Sequence, residues 1–125
     1  MNDKAIPFGF VLERLENKSP VTRPMFGCHA IYIGEKIVLI LRNKGSQKRD
    51  NGVWLATTPE HHTSLKLLFP SMRSIQLFGG KISSWQNIPD GAIDFEESVM
   101  ALCDLIIKND SRIGKIPNRK NPKRR

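Results

Sequence analysis

The sequence is poor in the residues that advertise chemistry. It holds only two cysteines, Cys28 and Cys103, far apart and without paired spacing. That excludes a disulfide framework and predicts two free thiols packed like small hydrophobes in a reducing compartment. The longest apolar run, residues 37–41, is five residues, against the roughly 20 that a membrane-spanning helix needs. The opening stretch, Met1-Asn2-Asp3-Lys4-Ala5-Ile6-Pro7, has neither an apolar core nor a small-residue cleavage site, so it does not read as a signal peptide. The expectation is a cytoplasmic protein with no membrane partner.

Catalytic signatures are missing as well. There is no Gly-x-Ser-x-Gly, no Gly-x-Gly-x-x-Gly and no Walker loop, which excludes the usual nucleophile elbow and phosphate cradles. Gly79-Gly80-Lys81 reads as a hairpin turn instead. The soft metal ligands are His29, His61, His62, Cys28 and Cys103. Cys28 and His29 are neighbours in a strand and point to opposite faces, whereas His61 and His62 diverge by about 100° on a helix. No metal site, cofactor or covalent catalyst is expected from them. Glu96 and Glu97 suit the positive end of a helix rather than paired acid–base work.

What the chain does have is a globular composition, 39% apolar and 26% charged, in 125 residues, enough for one domain and one modest core. Its net charge of +8 is unevenly placed. Residues 111–125 carry Arg112, Lys115, Arg119, Lys120, Lys123, Arg124 and Arg125 with no acid. Residues 1–110 hold the other thirteen of the twenty basic residues and all twelve acidic ones, a net of +1. The expected division is therefore a globular domain over 1–110 and a basic tail over 111–125. A second basic segment, the loop with Arg42, Lys44, Lys48 and Arg49, is balanced only by Asp50. Flexible cations of this kind can displace counterions along a phosphate backbone. The tail lacks aromatics, so base stacking is not supported there.

The periodicity predicts a helix over 8–16, where Phe8, Val11, Leu12 and Leu15 form one stripe. Strands follow over 21–26, with Pro24 marking an edge or bulge, then over 28–33 and 36–42. After the loop at 43–51 comes a strand over 53–56. Thr58-Pro59-Glu60 opens a helix with Leu65, Leu68 and Phe69 on one side. Strands over 74–78 and 82–88 are expected around Gly79-Gly80, and a helix over 94–109 carries Val99, Leu102, Cys103 and Ile106. Short connections imply antiparallel pairing. The fold class is α+β, a mainly antiparallel sheet of five or six strands with three helices over one face. The other face is left to water or to a second copy, and Trp54 and Trp85 are expected in a core or a dimer seam.

Arg23-Pro24-Met25-Phe26-Gly27, then a strand ending Tyr32-Ile33-Gly34, resembles the Met-Phe-Gly opening of the TfoX N-terminal-like (TfoX/Sxy) family. Gly80-Lys81, Trp85, Ile88-Pro89 and a closing helix followed by Arg112 and Pro117 are similar too, so the resemblance spans about residues 8–117. It implies an α-β-β-β-α-β-β-α plan and a stand-alone counterpart of two-domain competence regulators. It brings no catalytic residues with it. The 43–51 loop is longer than the family's, and Cys28 replaces a small residue. Two functional expectations result: a non-enzymatic regulatory or protein-interaction module, expected as a homodimer, and an accessory nucleic-acid binder using the tail and the 42–49 loop.

Overall fold

Tight turns set the sheet. In the computed structural model, which describes residues 6–77 and 84–117, β1 (Val21–Met25) and β2 (Cys28–Ile33) are joined by Phe26 and Gly27 alone. Both turn residues have positive φ, 55° and 73°, the mark of a type I′ hairpin turn. Gly34, at φ 61°, turns β2 into β3 (Lys36–Arg42). β4 (Gly52–Leu55), β5 (Arg73–Ser74) and β6 (Gln86–Pro89) complete an all-antiparallel sheet in the order β1-β2-β3-β4-β6-β5. The three helices are α1 (Phe10–Arg14), α2 (His62–Leu68) and α3 (Phe95–Ile107). The α+β fold is as expected.

Pro24 lies on the edge strand, where its sequence pattern placed it. The two-residue turn makes Met25 and Cys28 a hydrogen-bonded pair, so Pro24 falls at the next, non-bonded pair opposite His29. Its nitrogen then faces outward, and the missing N–H costs no ladder bond.

A bulge between β2 and β3 pairs Ile31 with Leu39 but Tyr32 with Ile37. The extra residue lets Val38 and Leu39 both enter the core beneath the helices. That core joins Ile31, Leu41, Val53, Leu55 and Ile88 of the sheet to Val11 and Leu15, to Leu65 and Phe69, and to Val99, Leu102, Cys103 and Ile106. Burying each such aliphatic side chain contributes about 1.5–3 kcal/mol.

Several expectations are corrected here. The face opposite the helices is not left bare, because Ala30, Ile40, Trp54, Ala56 and Ile75 form a second buried cluster there, packed on by Met25, Tyr32, Leu77 and Trp85. Trp54 is a core residue whose Nε1 donates to Asp50 O at 2.8 Å, and Trp85 is half-buried against it, ring centroids 6.1 Å apart. The first helix is short. Phe8 stands before it at φ 57°, and residues 16–18 finish as a 3₁₀ turn. Leu68 is 50% exposed, because the seven-residue α2 turns Leu65 and Phe69 inward and leaves Leu68 off that stripe. The Gly79-Gly80 hairpin lies outside the described residues; the described part pairs only Arg73 and Ser74 with Asn87 and Gln86.

The division at residue 110 is also corrected. Ile113 is buried in the helix-side core, Gly114 N donates to Ala56 O, and Lys115 exchanges two backbone hydrogen bonds with Ile37. The chain is therefore part of the fold at least as far as Lys115, and it fills the place beside β3 where β4 has ended.

Gly52 has the tightest surroundings among the described glycines. At φ 144°, an added Cβ would stand 2.2 Å from Ile88 O and 2.6 Å from Asn87 Oδ1. Gly52→Ala is expected to cost about 2 kcal/mol or more, several degrees in Tm. Gly45→Ala, with open space around it, should stay within about 0.5 kcal/mol. Thermal denaturation of both variants checks this.

Candidate functional site

The basic loop was the first place the sequence pointed to, and its geometry is that of a clasp. Arg42 ends β3 with its side chain on the face away from the helices, and only 3% of the residue is exposed. Its Nη1 donates to Gln47 O at 3.0 Å and Asn51 Oδ1 at 2.7 Å, and its Nη2 donates to Ser46 O at 3.1 Å. Asn51 closes the ring by accepting from Lys44 N and donating to Lys44 O, both at 2.9 Å. Asp50, also buried, accepts Gln76 N on both carboxylate oxygens and lies 3.5 Å from Arg73 Nη1. Arg42, expected as a nucleic-acid contact, is thus corrected to a buried loop anchor: a charge removed from water has to spend its donors on protein acceptors.

The other loop cations differ. Lys44 Nζ donates to Gly27 O at 3.1 Å across the β1–β2 turn, and Arg49 donates to Gln76 Oε1. Lys48 is exposed. At the other end of the molecule, Arg112 holds Asp110 through Nε and Nη2, at 2.9 and 2.8 Å, and reaches Ser64 Oγ with Nη1. Lys115 is fixed by its backbone pairing with Ile37. Arg119, Lys120, Lys123, Arg124 and Arg125 lie outside the described residues. Ile37 and Arg42 are at opposite ends of β3, about 17 Å apart along the strand. The loop cations and the root of the tail are therefore anchored at different ends of β3.

The thiols and histidines do not converge. Cys28 is in the cluster behind the sheet and Cys103 in the core under the helices. Burial pushes the Cys103 thiol up to about 12, and burial also raises Cys28 against the opposing pull of Arg42 and Lys44. Both stay protonated and unreactive near neutral pH. Among the described residues, no three His, Cys, Asp or Glu side chains come together as a metal site.

A surface the sequence reading missed is the groove between α1 and α3. Phe10, Met100 and Ala101 form its apolar floor, and Glu96, Glu97 and Asp104 its rim, around about 520 Å³. Two contacts set its walls. Arg14 Nε and Nη2 grip Asp104 Oδ1 at 3.0 and 2.7 Å, and the Phe10 ring meets Phe95 edge-on with centroids 6.3 Å apart. The signal in the sequence is Glu97, Met100, Ala101 and Asp104, spaced i, i+3, i+4, i+7 on the side of α3 away from Val99 and Cys103. An apolar pair between acids on an outward helix stripe has no role in the core. On α2, Leu67 and Leu68 project outward, 80% and 50% exposed.

Comparison of the chain with family models, with curated proteins and with solved structures gives no match. Among the described residues no helix is long and apolar enough to cross a membrane.

Two measurements check the clasp and the tail root. Arg42→Ala removes three hydrogen bonds, one of them to the buried Asn51 Oδ1, and is expected to cost about 2 kcal/mol in denaturant unfolding, whereas Lys48→Ala should stay within about 0.5 kcal/mol. The Arg112 guanidinium holds the Asp110 carboxyl down at about 2, below the ordinary value near about 3.9. A depressed carboxylate stabilises the fold above its unfolded pKa and loses that contribution as pH falls through the folded one. The Tm gap between the wild type and Arg112→Gln should be full at pH 6 and shrink between pH 4 and pH 2.

Proposed function

We propose that this chain is a non-enzymatic protein-interaction module of the cytoplasm, a stand-alone relative of the TfoX N-terminal-like family, and that the α1–α3 groove is its binding surface. The observation that carries the reading is the apolar floor of Phe10, Met100 and Ala101 open to solvent between carboxylates. Helix-lined apolar grooves of this kind accept the apolar stripe of another segment. The acidic rim adds selectivity by sign.

The resemblance supports the same reading, since it brings regulators rather than catalysts. The fate of the loop cations weighs in the same direction: Arg42 is spent inside the fold, and Lys44 and Arg49 are held by neighbouring groups.

A photo-cross-linking residue placed at Ala101 tests it in cells. The expected outcome is a discrete protein adduct that disappears when Met100→Glu is added, with no such adduct from the same probe at Gln47. Adducts that are alike from both positions and indifferent to Met100→Glu would remove the groove as a binding surface.

A further inference from the structure

The geometry points to the occupant of this groove: α2 of a second copy of the chain, so that two molecules clasp each other reciprocally. The inference rests on the groove being a binding surface, as proposed above, and names what fills it. The chain itself carries the complementary shape. Leu67 is 80% and Leu68 50% exposed on consecutive positions of α2. Residues side by side on a helix point about 100° apart, so the two leucines make a broad apolar ridge. The groove offers an apolar floor with Ala101 as its smallest side chain, a notch into which a leucine can be set.

The charges match by sign. α2 has no acid, and its one lysine, Lys66, lies next to Leu67 with its Nζ donating to Met72 O of its own chain. Asp104 is held by Arg14, so the carboxylates α2 would meet are Glu96 and Glu97. Both surfaces are on the helix layer of the same chain, so each copy supplies one ridge and one groove. A twofold axis satisfies both at once and closes the assembly at two, whereas a one-way contact would propagate into a filament. The tail is a poorer occupant. Residues 118–125 contain no apolar side chain other than Pro122, so they could meet the rim but not cover the floor.

Sedimentation of the full chain at on the order of 100 µM, where micromolar association is saturated, tests this. The expected mass is about 28 kDa, twice the 14.2 kDa of one chain. Leu67→Glu and Met100→Glu change outward-facing positions and should keep the wild-type Tm while each weakens association at least tenfold. Mixed in equal amounts, the two variants recover one ridge-in-groove contact of the two. The mixture should therefore associate more than either variant alone and less than the wild type. A monomeric wild type overturns the inference, and so does dimerisation indifferent to both substitutions. Loss of the dimer on truncation after Pro117, with Leu67→Glu still dimeric, assigns the groove to the tail and overturns it too. A monomeric wild type that still gives a Met100-dependent adduct from position 101 removes the second copy but leaves the groove as a binding surface for another protein.

Discussion

A guanidinium taken out of water decides what the long loop of this protein is. Arg42 ends β3 with its donors directed at Gln47 O, Ser46 O and Asn51 Oδ1, and the side chain of Asn51 binds Lys44 on both its N–H and its C=O. The nine residues of the 43–51 loop, which would otherwise be a free basic arm, are tied to the end of β3. From there the order spreads: Asp50 receives Gln76, Trp54 donates to Asp50 O, and Asn51 O receives Asp90. The covering of the sheet's second face by Ile75, Leu77 and Trp85 depends on that anchor, because the chain bearing them is tied to the loop at Gln76.

This arrangement redistributes the charge that the composition makes conspicuous. The net +8 suggests a polyanion partner, yet the described cations are largely committed: Arg42 and Arg112 to the fold, Arg14 to Asp104, Lys44 to the β1–β2 turn. Carboxylates and partly covered apolar side chains meet instead on the helix layer, along α3 and α1. There the interaction chemistry concentrates, and there the interaction function is proposed.

Much of the fold was legible in the sequence because it follows local rules. Val99, Leu102, Cys103 and Ile106 repeat at helical spacing and are buried together, and Pro24 marks an edge that it does occupy. What was not legible depends on partners distant in the chain. The pattern of an apolar strand ending in arginine does not reveal that the arginine is buried, because its acceptors are two main-chain oxygens and one asparagine side chain of a loop yet to be folded. The bulge that turns both Val38 and Leu39 inward breaks strict alternation. The docking of Ile113 and Lys115 beside β3 fills a place that exists only once β4 has stopped short. The groove required α1 and α3 side by side, and two of the acids that line it, Glu96 and Glu97, read equally well as ordinary first-turn residues.

The most direct test of the clasp is amide hydrogen exchange of the full chain, resolved by residue across 43–51 and at Gln76. The N–H groups of Lys44, Asp50, Asn51 and Gln76 all donate to protein acceptors. The account predicts that they exchange on the timescale of the neighbouring strands and lose protection together in Arg42→Ala. Exchange at the rate of an unprotected loop in the wild type, or protection unchanged by the substitution, would contradict it.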